Sequence, residues 1–170
     1  MTLALGIDPG TATTGFGLVR LSPEGNLESV AHGAIVTPPH TPAHARLLLL
    51  HQDLCELIAQ YHPDTFAVEK LFFQRNVSTA MAVGQARGIV LLAIAQARGD
   101  VSEYTPTEVK LAVAGYGSAE KHQVQEMVRT LLDLPEIPKP DDAADALAVA
   151  ITHLHTQRFE SLARDSTGPV

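Results

Sequence analysis

Residues 3–8 form an apolar run closed by a carboxylate, and that pattern predicts a buried strand. Residues 14–21 alternate well enough for a second strand. The turn chemistry of Pro23-Glu24-Gly25-Asn26 leads into a third strand at 27–36. Such short links predict an antiparallel meander. Pro38-Pro39 breaks the pattern. From 41 to 61 the apolar positions Leu47, Leu50, Leu54, Leu57, Ile58 and Tyr61 recur at helical spacing, and His62-Pro63-Asp64 stops the helix. Residues 65–69 read as a fourth strand, again closed by an acid. The stretch 76–98 is apolar nearly all round: only Asn76, Ser78, Thr79, Gln85, Arg87, Gln96 and Arg98 are polar. Such a helix needs cover on more than one side, and the small residues Ala80, Gly84 and Gly88 permit close packing, so a partner subunit is expected. Residues 101–104 give a fifth strand, and Pro106 opens a helix at 107–114. After a flexible loop, Gly115-Tyr116-Gly117-Ser118, a further helix reaches about residue 132. The last helix runs from about 142 to 155 with Asp141 as its N-cap.

A meander followed by strand–helix–strand units predicts an α/β fold: a mixed five-stranded sheet with helices on both faces. That is the element order of the RNase H-like fold, in which the first and fourth strands are neighbours. The chain has 170 residues, enough for one domain with a real core. We expect one domain over 1–157 and a flexible tail over 158–170. With a single cysteine, Cys55, no internal disulfide is possible, and Cys55 reads as core. No Cys/His cluster has zinc-ligand spacing. The N-terminus runs straight into a strand, and the longest apolar run, 88–95, is far short of the roughly 20 residues of a membrane span. A cytoplasmic protein with no membrane association is expected.

Four carboxylates carry the candidate chemistry. Asp8 and Glu69 close strands that adjacent parallel pairing would set side by side. Asp142 and Asp145 lie three residues apart, on one face of a helix's first turn. Singly, an acid at a strand end or in a first helical turn is an ordinary finding. Four meeting at one point repel one another, and one or two divalent cations are the natural remedy. Asp141 competes with Asp142 as a ligand, because it sits four residues from Asp145. The Gly-rich turn from Gly6 through Gly15 would let backbone approach a phosphate. Phe72 and Phe73 beside Arg75 suit base stacking. His122 reads as a surface residue. The formal charge of −7 argues mildly against a nucleic-acid partner, but two bound divalent cations would bring it to −3, and distribution outweighs the total. Lys70, Arg75, Lys110 and Lys121 all fall in or beside loops that follow strand ends.

The segments GIDPGTATTGFGLV, VEKLFF, NVSTAMAVGQARG, YTPTEVKLAVAGYGSAEKHQVQEMV and DDAADALAVAITHLH, in this order and spacing, resemble the RuvC family of Holliday-junction resolvases over about residues 3–155. The resemblance implies a metal-dependent endonuclease using Mg²⁺, with Mn²⁺ an alternative and two ions per site. The family's catalytic and metal-binding acids fall on Asp8, Glu69, Asp142 and Asp145, which favours Asp142 over Asp141. Its DNA-facing lysines fall on Lys110 and Lys121, the latter with a catalytic role, and its junction-inserting phenylalanine falls on Phe72. Phe73 and Arg75 join the DNA-binding set. The helix at 76–98 corresponds to the dimer interface. The implied partners are a four-way DNA junction, a second copy of the chain and a RuvAB-like branch-migration motor. An actin-like or sugar-kinase-like ATPase shares the first strand and its glycine turn, but needs two such domains. A junction-binding module without catalysis is the other alternative.

Overall fold

The computed structural model describes residues 1–70 and 77–166. Strands β1 (Thr2–Asp8), β2 (Thr13–Leu21) and β3 (Leu27–Val36) form the expected meander, and β4 (Thr65–Glu69) and β5 (Val101–Tyr104) complete the sheet in the order β3-β2-β1-β4-β5. β1 pairs parallel with β4, and β4 pairs parallel with β5. Asp8 and Glu69 therefore end neighbouring strands at the same edge. The helices are α1 (Ala43–Tyr61), α2 (Val77–Gln96), α3 (Pro106–Ala114), α4 (Lys121–Leu131) and α5 (Asp141–Ser166).

The two faces of the sheet carry side chains of different size. On one face Leu5, Ile7, Leu18, Phe66 and Val68 pack beneath α1 and α2 with Leu50, Leu54, Val90 and Ile94. On the other, Ala4 and Ala67 lie beneath α3, α4 and α5 with Val109, Val128, Leu147, Ile151 and Leu154. Successive strand residues point to opposite faces. Ala4, Gly6 and Asp8 consequently share the α5 face of β1, and Ala67 and Glu69 share that face of β4. The glycines are there for close approach. A Cβ on Gly6 would stand 2.2 Å from the Ala146 carbonyl oxygen, and one on Gly15 would stand 1.9 Å from that of Asp142. Gly17 would meet the Leu147 backbone nitrogen at 2.7 Å. Helix α5 answers with its own small residues, the buried Ala143, Ala144, Ala146, Ala148 and Ala150.

Further contacts fix α5 along its length. Buried His153 holds the Thr65 hydroxyl at 2.6 Å through Nε2 and the Tyr104 hydroxyl at 2.9 Å through Nδ1. Burial lowers its pKa, so the ring works as a neutral hydrogen-bonding link between α5, β4 and β5. Helix α3 begins with a capping box: the Glu108 amide donates to Thr105 Oγ1, and the Thr105 amide donates to Glu108 Oε2 at 2.7 Å. It ends on Gly115 at φ 88°, a left-handed conformation that suits glycine.

Several expectations are corrected. Asp141 is the first residue of α5 and pairs with Lys121. The last helix continues past residue 155 to Ser166, across much of the stretch expected to be frayed. Arg158 in this extension donates toward the carbonyls of Glu24 and Gly25 in the β2–β3 turn, at 3.4 Å each. Cys55 packs against the core as expected, half-buried beside His51 and Gln96. The span 79–96 of α2 is long and apolar enough, by length and composition, to cross a membrane, which the short run at 88–95 did not suggest. In the fold, α2 lies on the sheet with Ala86, Val90, Ala93 and Ile94 buried, and Arg87 pairs with Glu103 of β5.

The contact between β2 and the first turn of α5 yields a prediction. Gly15→Ala must push Asp142 away from the sheet edge. We expect a loss of roughly 1–3 kcal/mol or more from overpacking, read as a lower melting temperature. Gly115→Ala serves as the control: its Cβ would meet nothing within 4 Å, so its cost comes from backbone strain alone. Equal melting temperatures for Gly15→Ala and wild type would contradict the close approach.

Candidate active site

Asp8 and Glu69 stand at the carboxyl ends of β1 and β4, on the face where α5 begins. Asp8 is in register with Gly15, and it is the missing side chain at Gly15 that admits the backbone of Asp142. Asp142 and Asp145 both occupy the first turns of α5 and are half-buried. The structure thus brings together the four acids expected from the sequence.

Their electrostatics reflect that crowding. Burial pushes the Asp8 carboxyl up to about 6, and the nearby negative charge of Asp145 adds to the shift. Burial pushes Glu69 up to about 8, reinforced by the charge of Asp8 and by a hydrogen bond between the two carboxyls. Both carboxyls therefore resist ionisation, and the hydrogen bond between them lets the pair share a proton. Asp145 is raised as well, by burial, although Lys121 pulls it the other way.

Lys121 is the positive charge of the cluster. It opens α4, where the Glu120 amide donates to Gln123 Oε1 at 2.8 Å. Its Nζ lies 2.9 Å from Asp145 Oδ2 and 3.3 Å from Asp141 Oδ2. Burial works against its charge, yet Asp145 and Asp141 together hold its pKa above the ordinary lysine range. Sequence reasoning weighed Asp141 as a rival ligand and as a cap. Its role as partner to Lys121 was not foreseen, since that contact joins helices twenty residues apart.

The donor chemistry suits a divalent cation: four carboxylates, hard oxygen donors, two of them held together by a proton that a cation would displace. The side chains are not already splayed around an ion. Among the described residues no three acids stand in ligand geometry, because Lys121 occupies Asp145 and a hydrogen bond occupies Asp8 and Glu69. Rotation of these side chains would be needed to gather them around an ion.

The remaining site candidates fall in three groups. Lys110 is half-buried on α3, which starts at the same sheet edge because β5 runs parallel to β4. Lys70 is exposed directly after Glu69, its amide donating to the Tyr104 carbonyl at 2.7 Å. His122 is exposed and faces Glu126 at 4.0 Å, an ordinary surface arrangement. Phe72, Phe73 and Arg75 lie outside the described residues. A cavity of about 490 Å³ lined by Cys55, His62, Phe66 and Gln96 sits toward the opposite edge of the sheet and takes no part in the carboxylate cluster.

The family model of the crossover junction endodeoxyribonuclease RuvC matches residues 4–153. The chain belongs to the RuvC family. A RuvC of Heliobacterium modesticaldum is 59% identical over 153 residues, covering 89% of this chain and 93% of that protein. The solved structure of Thermus thermophilus RuvC superimposes with a TM-score of 0.87 at 38% identity, over 94% of this chain and 97% of that one. A second T. thermophilus RuvC structure, in complex with a Holliday junction substrate, gives a TM-score of 0.85 at 35% identity, over 93% of this chain and 96% of that one. The mixed five-stranded sheet is therefore the RNase H-like fold of that family. RuvC enzymes are metal-dependent nucleases, in keeping with the carboxylate cluster.

The raised acids set the pH dependence of the metal-free fold. Asp8 and Glu69 bind their protons more tightly folded than unfolded. Their contribution is full below the ordinary carboxylate range and is lost as pH rises through about 6 and about 8. Without metal, Asp8→Asn should therefore melt above wild type at pH about 8. A few degrees are expected, since about 1 kcal/mol corresponds to roughly 2–4 °C at this size. The gap should close toward acid pH. It should also close on adding millimolar Mg²⁺ or Mn²⁺, which stabilises the native wild type by binding it. A variant melting at or below wild type in metal-free alkaline buffer would count against mutual repulsion.

Proposed function

We propose that this chain resolves four-way DNA junctions. It nicks two strands of like polarity and leaves 5′-phosphate and 3′-hydroxyl ends, in recombination and DNA repair. The observation that carries the reading is the convergence of Asp8, Glu69, Asp142 and Asp145 with Lys121 at one sheet edge, in a chain of the RuvC family. An ATPase of the actin or sugar-kinase type would need a second domain facing this one.

Asp8, Glu69, Asp142 and Asp145 are the residues that would hold the metal, for which we favour two Mg²⁺ ions, with Mn²⁺ able to replace them. When bound, divalent cations supply an activated water and neutralise charge on the phosphate and the leaving oxygen. On becoming ligands, the acids would give up their shared proton. With Asp145 engaged as a ligand, Lys121 would keep Asp141 as a partner and could neutralise the scissile phosphate. Lys110, and in our reading Phe72, Phe73 and Arg75, contact the DNA around that point. Selection of junctions over linear duplex rests on shape and not on base sequence.

Paired nicking calls for two active sites, and we assign the second to a second copy of the chain. The apolar outer face of α1 and α2 supports this. Met81 is 64% exposed, Leu92 48% and Leu48 57%, and a Cβ on Gly88 would point into open space. Exposed apolar patches of this kind mark interaction surfaces. A two-fold dimer would match the two-fold symmetry of the junction. The resemblance further implies cooperation with a branch-migration motor, and we place the protein in the cytoplasm with the DNA.

Two experiments test the reading. Asp8→Asn should bind a labelled four-way junction about as tightly as wild type yet cut it at least a hundredfold more slowly, in line with losing roughly 3 kcal/mol or more of charge stabilisation. Near wild-type cutting would remove Asp8 from the chemistry. Gly88→Leu should sediment as a monomer with unchanged circular dichroism, and on a cruciform plasmid its paired nicks should fall before its single nicks. Gly88→Ala, adding a methyl in open space and removing a helical glycine, should keep the fold. A Gly88→Leu protein that stays dimeric and gives paired nicks would move the interface elsewhere.

A further inference from the structure

The opposite flank of the active-site edge carries a second feature. The end of β3 pairs antiparallel with the start of β2, Val36 opposite Thr13, so Thr37 and the entry to α1 stand at the carboxylate edge. Here the Thr37 hydroxyl, almost fully buried, donates to the Thr11 carbonyl at 2.7 Å and accepts from Arg46 Nε at 2.8 Å. Thr37 also donates its amide to the Ala12 carbonyl at 3.1 Å. The β1–β2 turn, which directly follows Asp8, is thereby tied to the side chain of Arg46.

Beside this link is a cleft of about 190 Å³ whose lining includes Thr11, Thr41, Arg46 and Gln85. Arg46 has no carboxylate partner among the described residues, although the chain holds 19 acids against 12 lysines and arginines. Its Nε is committed to Thr37, which orients the guanidinium plane and leaves both terminal nitrogens as donors. A planar fork of this kind matches phosphate oxygens in a bidentate manner. The threonine hydroxyls and the Gln85 amide add neutral donors, and no carboxylate is among the residues lining the cleft.

We propose that this cleft, with Arg46 at its centre, holds a backbone phosphate of the DNA strand beyond the scissile bond. The inference rests on the junction-cleaving reading above and adds a site to it. From β1 to β3 is two strand spacings, about 10 Å, and the cleft, between α1 and α2, adds the step to the other side of the sheet edge. A stacked strand covers the lateral part alone in about three nucleotides at about 3.4 Å of rise each. The scissile phosphate at the carboxylates would thus be flanked by Lys121 and Lys110 on one side and by Arg46 on the other. The arrangement also offers a way for an acidic chain to secure DNA locally: the cation on this flank is fixed in orientation and, among the described residues, not neutralised by a neighbouring acid.

The test is binding of a fluorescent four-way junction in Ca²⁺ over a range of potassium chloride concentrations. Arg46→Gln should bind more weakly throughout, and the slope of log K against log salt should be shallower by about 0.9 for each phosphate that is no longer neutralised. Its melting temperature without DNA should match wild type. Arg46→Lys, which keeps the charge without the fork, should restore most of the slope but not the full affinity. An Arg46→Gln slope equal to wild type overturns the inference. So does a binding loss accompanied by an equivalent loss of fold stability in both variants. A parallel melt in inorganic phosphate at matched ionic strength separates the sources of the anion. Stabilisation of wild type but not Arg46→Gln, with junction slopes unchanged, would assign the cleft to a free anion and overturn the strand assignment. Failure of wild type itself to bind a junction would overturn the functional reading, and this inference with it.

Discussion

Everything at the site depends on how closely α5 lies on the sheet. Ordinary helix–sheet packing leaves room for a layer of side chains, and an aspartate in the first turn of a helix would then stand well clear of a strand end. Here Gly6, Gly15 and Gly17 remove that layer from β1 and β2, and the alanines of α5 remove it from the helix. The backbone of Asp142 is thereby lowered onto the strand end beside Asp8. Bulk sits on the opposite face, where Leu5, Ile7, Leu18, Phe66 and Val68 supply the hydrophobic anchorage that an alanine- and glycine-lined contact provides less of. The asymmetry of the sheet therefore shapes the carboxylate cluster: one face holds the molecule together, and the other sets distances.

That proximity has an electrostatic cost. Carboxylates brought together and partly desolvated resist ionisation, as the raised Asp8, Glu69 and Asp145 show. Without metal the chain offsets it in two ways, by a proton shared between Asp8 and Glu69 and by the ammonium of Lys121 against Asp145 and Asp141. Both are replaceable. A proton gives way to a cation, and a lysine held partly by an acid outside the proposed ligand set keeps an anchor when its other partner is engaged. If these acids hold metal, as proposed, the residues that offset the charge of the metal-free site are the ones that would be redeployed.

Much of this was legible along the chain. The apolar runs ending in Asp8 and Glu69 marked two strands, and period-two alternation sets Ala4, Gly6 and Asp8 on one face together with Ala67 and Glu69. The three-residue spacing of Asp142 and Asp145 marked a common helical face. The resemblance to RuvC sequences chose between Asp141 and Asp142, where spacing left both open. What remained illegible depended on tertiary contact. Nothing near Lys121 in sequence announces Asp141 and Asp145 as its partners. Polar composition after residue 157 suggested a tail, whereas α5 runs on to Ser166 with Arg158 reaching the β2–β3 turn. Nothing around His153 in sequence announces its hydrogen-bond partners, which β4 and β5 supply.

The net charge of −7 posed the sharpest conflict with a DNA substrate, and the fold shows why a total is a poor guide. Several of the acids belong to the cluster itself, where a proton, an ammonium or a cation offsets them. Others are matched on the surface, as in Arg20 with Glu28 and Arg129 with Glu126. At the edge where a strand would pass, Lys70, Lys110 and Arg46 have no acid partner within ion-pair distance among the described residues. The field a phosphate meets there is set by these cations and by the cluster's own occupancy, and much less by remote acids beyond a screening length of about 8 Å. The negative charge that the active-site edge presents to a strand thus depends on what occupies the carboxylate cluster, and not on the total of −7.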